Sequence, residues 1–151
     1  MNAARKDGPA FVKNIVKPYL KETETSKTSY VNSLIRTLNK TKGLEPFKID
    51  PILERKAKEW AVSSGKKGIV GHGNINRRLY YLIKEKGSMA ENCTYGNYTA
   101  IDAVMDLLID EGIRGLGHRK NILNPAYVHI GIASANHKSF GVVVVMNFSE
   151  K

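Results

Sequence analysis

The chain reads as an α+β layered domain, with four amphipathic helices ahead of a small antiparallel sheet. Two observations carry this. Apolar residues recur at helical spacing in four runs between positions 29 and 108, and cap or stop residues bound the runs. The chain then closes on two apolar segments joined by a short polar turn, the pattern of a β-hairpin. Helices first and strands last favour segregated layers over alternating βαβ units.

Residues 1–27 form an N-terminal arm or tether, and residues 28–151 form the domain. In the arm, Phe11, Val12, Ile15, Val16 and Tyr19 fall at helical spacing, but Pro18 limits or kinks that helix. Residues 21–27 (KETETSK) are polar throughout. The first domain helix covers about residues 29–41, with Val31, Leu34, Ile35 and Leu38 as its stripe and Gly43 as its stop. The second has the clearest start in the chain. Asp50 is a good N-cap, Pro51 suits the first turn, and Glu54 lies near the positive end of the helix dipole. Its stripe is Leu53, Ala57, Trp60 and Ala61, and Gly65 is expected to end it. The third covers about residues 75–85, after the turn Gly71-His72-Gly73. The fourth begins after Thr99 and buries Ile101, Val104, Met105 and Leu108, while Asp102, Asp106 and Asp110 share its other face. Residues 127–134 alternate, and residues 140–148 are almost continuously apolar, which predicts burial on both faces. Residues 135–139 are the turn between these strands, and a short strand near residues 88–94 makes a third.

Composition narrows the function. A chain of 151 residues is one domain's length. At that size roughly 70% of the unfolded surface is buried, so neither disulfide nor metal is needed for folding. The net charge is +10, but 17 of the 24 cations are Lys and only seven are Arg. That is the usage of a lysine-solvated surface. Specific nucleic-acid binding is not expected, because no Arg-rich helix, RNP motif or zinc finger is present. No apolar run approaches the ~20 residues of a membrane span. Cys93 is the only cysteine, so no intrachain disulfide forms. With no cation or histidine adjacent in sequence, it reads as a small buried apolar side chain and not as a nucleophile. The first residues carry no signal-peptide pattern, which suits a cytosolic protein or a mature chain whose targeting segment has been removed.

Four polar positions fall at element boundaries. His72 projects from a turn between two glycines. Glu91 begins the polar run Glu91-Asn92-Cys93. Asp110 or Glu111 sits at the C-terminal end of the fourth helix, where a carboxylate meets the negative end of the dipole and gains from a cation or a metal. His118 lies in Gly117-His118-Arg119-Lys120-Asn121. Two imidazoles with one or two carboxylates suit a divalent metal, acid–base chemistry, or a structural polar network. The spacing matches no compact zinc motif, and neither a nucleophile elbow, a Walker loop nor a dinucleotide fingerprint occurs. His129 is expected to be packed or hydrogen-bonded on its strand, and His137 to be solvated in the hairpin turn.

The block from Gly117 to Pro125 (GHRKNILNP), followed by Tyr127-Val128-His129-Ile130-Gly131-Ile132-Ala133, resembles the bacterial branch of the CAP superfamily. That superfamily comprises cysteine-rich secretory proteins, antigen 5 and plant pathogenesis-related proteins. Ala90-Glu91-Asn92 is similar to the family's Gly-Glu-Asn signature, and Gly71-His72-Gly73 stands where the family has its first histidine. The resemblance covers roughly residues 28–149. It implies a three-layer α–β–α sandwich with a small central antiparallel sheet. It also implies a cleft lined by a His/acid/acid/His tetrad that binds zinc or another divalent metal in some members. Carried over, the tetrad is His72, Glu91, Asp110 and His118, with Asp110 favoured over Glu111. Asp stands where the family often has Glu, one methylene longer. The resemblance further implies export. The protein is then secreted or a surface lipoprotein, anchored to a membrane through a removed N-terminal segment. It implies a non-enzymatic module that binds a host protein, a lipid or sterol, or a small apolar ligand. The alternative is a metal-dependent, protease-like hydrolase using the same cleft.

Overall fold

A computed structural model describes the backbone of residues 1–151 and every side chain except that of Tyr80. The elements in order are α1 (Asn2–Lys6), α2 (Gly8–Phe11), a π-helical turn (Val12–Val16), α3 (Lys17–Glu22), α4 (Ser29–Leu38), β1 (Lys48–Ile49), α5 (Pro51–Lys67), α6 (Ile75–Lys86), β2 (Met89–Tyr95), α7 (Ala100–Ile109), α8 (Gly117–Leu123), β3 (His129–His137) and β4 (Gly141–Ser149). Mixed helices and one four-stranded sheet match the α+β expectation. The chain divides into two compact units, residues 1–46 with 104–125 and residues 47–103 with 126–151.

The second unit holds the sheet, in the order β1-β3-β4-β2. β3 and β4 pair as the expected antiparallel hairpin, and β2 pairs antiparallel to β4. β1 runs parallel to β3, so the sheet is mixed and not purely antiparallel. A long stretch of chain separates β1 from β3, and only a long connection permits a parallel pair.

Asp50 caps α5 as its position predicts. Its Oδ1 accepts from the backbone N–H of Ile52 at 2.8 Å and of Leu53 at 3.0 Å. Gly65 does not end this helix. Gly68 does, in the left-handed conformation at φ 71°. Gly65 lies one turn inside, where a Cβ would come 2.1 Å from the Asn136 carbonyl oxygen, so its role is close packing on β3. Trp60, Ala57 and Ala61 of α5 pack with Cys93, Val143 and Val145 into one cluster. Leu53 packs with Leu79 and Leu82 of α6 into another. Along β4, Val142 and Val144 are half-buried, whereas residues 145–149 are buried on both faces.

His137 departs from expectation. It is the last residue of β3 and only 3% exposed, not a solvated turn residue. Its Nδ1 accepts from the N–H groups of Ser139 and Phe140 at 3.2 and 3.3 Å, and its Nε2 lies 3.2 Å from the Ile69 carbonyl oxygen. Those partners assign the proton to Nε2. The strand runs further than its alternation shows, and the imidazole satisfies the turn that follows. His129 is half-buried, as a packed strand residue should be.

In the first unit, the segment read as a tether is helical through Glu22. Phe11, Val12, Val16 and Leu20 are buried. Arg5 is fully buried and donates to the carbonyl oxygens of Glu45 and Ile122 at 2.8 Å and of Asn124 at 2.9 Å. The π-helical turn ends two residues before Pro18, which has no N–H to continue an α-helical ladder. On α4, Val31, Leu34 and Leu38 are fully buried, as the stripe requires. On α7, whose first turn belongs to the second unit, Met105, Leu107 and Leu108 are buried, whereas Ile101 is 40% exposed.

Candidate functional site

Two histidine–carboxylate pairs stand at the predicted positions, one in each unit. The first is built on β2. Successive strand residues alternate faces, so Glu91, Cys93 and Tyr95 point the same way. The Gly71-His72-Gly73 turn lies over them. Tyr95 Oη accepts from the Gly71 N–H at 2.7 Å, and Trp60 Nε1 donates to the Gly71 carbonyl at 3.2 Å. A Cβ on Gly73 would sit 2.5 Å from the Trp60 ring, and the residue has φ 53°. Glycine is therefore needed there on two counts. So placed, His72 Nδ1 lies 3.1 Å from Glu91 Oε1.

Glu91 is fully enclosed and has a second partner. Arg78 of α6 donates through Nη2 to Oε1 at 2.7 Å and Oε2 at 2.9 Å, and to the His72 carbonyl at 2.8 Å. The guanidinium lies over the Trp60 ring, 4.3 Å from its centroid. Cys93 Sγ is 3.7 Å from Glu91 Oε1 and 3.9 Å from His72 Nδ1. Burial first, and then the Glu91 charge, push the Cys93 thiol up to about 12, so it is a neutral S–H at physiological pH.

The second pair is in the first unit. Asp110 follows α7 in the left-handed region at φ 57°, a conformation Asp tolerates better than most residues. Its buried Oδ1 lies 2.8 Å from His118 Nδ1, and its Oδ2 accepts from the Arg119 N–H at 3.2 Å. The cation expected at this helix end is Arg119. It donates to the last α7 carbonyls, Leu108 at 2.6 Å and Ile109 at 2.7 Å, and to Ser33 Oγ at 2.9 Å. Glu111 is exposed, and Asp110 is the acid that bonds a histidine.

A metal has two ways of using such residues. In the first, ligand atoms of His72, Glu91 and Cys93 bind directly, and these lie within 4.8 Å of one another. Their positions suit an ion, but the charge beside them does not. Arg78 already occupies both Glu91 oxygens, so an ion there would meet a cation at the carboxylate it needs. In the second, each imidazole donates its Nδ1–H in a hydrogen bond to a carboxylate, so that Nε2 is the nitrogen that would face an ion. This is the arrangement by which an acid orients a metal-binding histidine. The His72 and His118 pairs both fit it, with Glu91 and Asp110 behind the imidazoles. Asp in place of Glu then sets the reach to His118 and not to an ion.

Sequence reasoning missed Arg78, the Trp60 platform and the place of Cys93. Period-two alternation from Glu91 put Cys93 within reach, whereas nothing in α6 marked Arg78 over its neighbour Arg77.

The model of the cysteine-rich secretory protein family, CAP, matches residues 1–148. Three solved structures share the fold. An outer surface protein of Borrelia burgdorferi is 19% identical with TM-score 0.58, over 81% of this chain and 89% of that one. A cysteine-rich secretory protein of Staphylococcus aureus is 19% identical with TM-score 0.57, over 81% of this chain and 38% of that one. An extracellular SCP-domain protein of Bacillus anthracis is 20% identical with TM-score 0.56, over 70% of this chain and 34% of that one. The chain thus spans little more than a third of the last two. Among curated proteins no match is found. The mixed helices and four-stranded mixed sheet are consistent with the α–β–α sandwich, and the family match across nearly the whole length makes this chain a member of the CAP family.

Proposed function

We propose that this chain is the non-enzymatic binding module of a secreted or cell-surface bacterial protein. The location rests on similarity to proteins described as outer surface, extracellular and secretory. The non-enzymatic reading rests on one observation: both acids are committed to internal partners. Glu91 is held by Arg78 and His72, and Asp110 by His118 and the Arg119 N–H. A general base or acid must exchange its proton with a substrate, and a hydrolase needs either a protein nucleophile or a metal-activated water. Cys93, pushed up to about 12, offers almost no thiolate. The ligand is then a host protein, a lipid or a small apolar molecule. Zinc would be held only weakly, by imidazole nitrogens, and would polarise a bound oxygen if present.

Two assays test this. Protease treatment of intact bacteria making the full protein should remove it, and protection equal to a cytosolic marker overturns the location. Fluorescent casein incubated with the protein and zinc should be cleaved no faster than with the His72→Ala/His118→Ala variant. Cleavage that the variant lacks establishes the hydrolase.

A further inference from the structure

We propose that Arg78 is the resident cation of the His72–Glu91–Cys93 group and bars divalent metals from Glu91 and Cys93. The Glu91 side chain has no exposed surface, so its charge needs a partner inside the protein. Arg78 supplies it through its guanidinium. One nitrogen, Nη2, reaches both carboxylate oxygens and the His72 carbonyl. The rest of the guanidinium is spent on the indole face. Its Nε and Nη1 are buried and, among the described residues, have no hydrogen-bond partner. Trp60 is itself fixed by its bond to Gly71 and by contact with Gly73.

A metal ion bound to Glu91 and Cys93 would stand beside this guanidinium, cation against cation. It could enter only if Arg78 surrendered three hydrogen bonds and its stacking on Trp60. With Arg78 in place, the group presents the half-exposed His72 ring to solvent, with Nδ1 engaged and Nε2 free to accept. That suits a hydrogen-bond donor or a single-point metal contact. It does not suit a multidentate site, and this holds whatever the module binds.

Cobalt(II) tests the assignment, because a cobalt–thiolate bond gives a near-ultraviolet charge-transfer absorption. Ligation through Cys93 replaces S–H by S–Co and releases the proton to buffer. Wild type and Arg78→Lys, which keeps a cation, should show no such band at neutral pH. Arg78→Met should show it, with affinity for cobalt raised at least tenfold, and Arg78→Met/Cys93→Ser should lose it. A band in wild type or in Arg78→Lys overturns the proposal. So does its absence in an Arg78→Met protein whose near-ultraviolet dichroism is native. Should that variant not fold, Arg78→Gln is read by the same criterion, and the wild-type result stands without either.

Discussion

Asp110 and His118 are hydrogen-bonded to each other, Oδ1 to Nδ1 at 2.8 Å, eight residues apart in sequence. The bond closes the loop between α7 and α8 while Arg119 takes the α7 carbonyls. Asp110→Ala removes the acceptor of the Arg119 N–H and of His118 Nδ1, and it places Ala in a left-handed backbone. It should cost about 1–3 kcal/mol in urea unfolding. Asp110→Asn keeps an acceptor and tolerates the backbone, so it should cost less. Glu111→Ala, on an exposed side chain, should stay within about 0.5 kcal/mol. A larger loss at Glu111 than at Asp110 would reverse the assignment of the acid.

Trp60 joins the core to the site. It is 9% exposed, packs with Val143 and Val145, and carries Arg78 on its ring. Trp60→Ala should cost about 3–5 kcal/mol. Trp60→Phe should cost less, since it keeps an aromatic face for Arg78 and loses only the Nε1 bond to Gly71. Urea denaturation followed by far-ultraviolet dichroism measures both without relying on the lost indole. A cost near zero for Trp60→Ala would separate α5 from the core.

What was legible in the sequence was local. The Asp50-Pro51 start of α5 showed because a cap and its helix are adjacent in the chain. The stripes of α4 and α5 showed because period and burial agree. His72, Glu91, Asp110 and His118 stood out only as polar residues at boundaries, and a family resemblance joined them. Arg78 was illegible because its partners lie six and thirteen residues away, across a turn and on another element. His137 was misread because alternation does not mark where a polar strand end stops. Pro18 and the polar run after it suggested a loose arm, but neither reports on Arg5, whose burial depends on carbonyls as far as 119 residues along the chain.

Cys93 should be inert in the native state. Its thiol is pushed up to about 12 by burial and by Glu91, against about 8.5 when unfolded. At pH 8 iodoacetamide should therefore alkylate it about a thousandfold more slowly than in concentrated urea. The native state prefers the neutral thiol, so this group's contribution is complete below about pH 8.5 and declines as pH rises from there towards about 12. Alkylation at the unfolded rate would show that β2 opens readily or that the thiol is not enclosed.

Asp50 sets the acid side of the stability profile. Burial, the largest single influence, raises its carboxyl, but the Lys86 ammonium at 2.6 Å and the N–H groups of Leu53 and Ile52 together outweigh it, so the group stays below its ordinary value. A depressed carboxylate contributes stability that is present above its unfolded pKa, about 3.9. That stability is lost as pH falls through the lower folded value. Asn caps a helix about as well as Asp, so Asp50→Asn removes mainly the charge pair. Urea midpoints between pH 7 and pH 3 should fall more steeply for wild type than for Asp50→Asn or Lys86→Met. The difference should open only below about pH 4, where the unfolded carboxyl begins to take its proton. Parallel profiles for all three proteins would mean that the Lys86–Asp50 contact adds nothing beyond the cap.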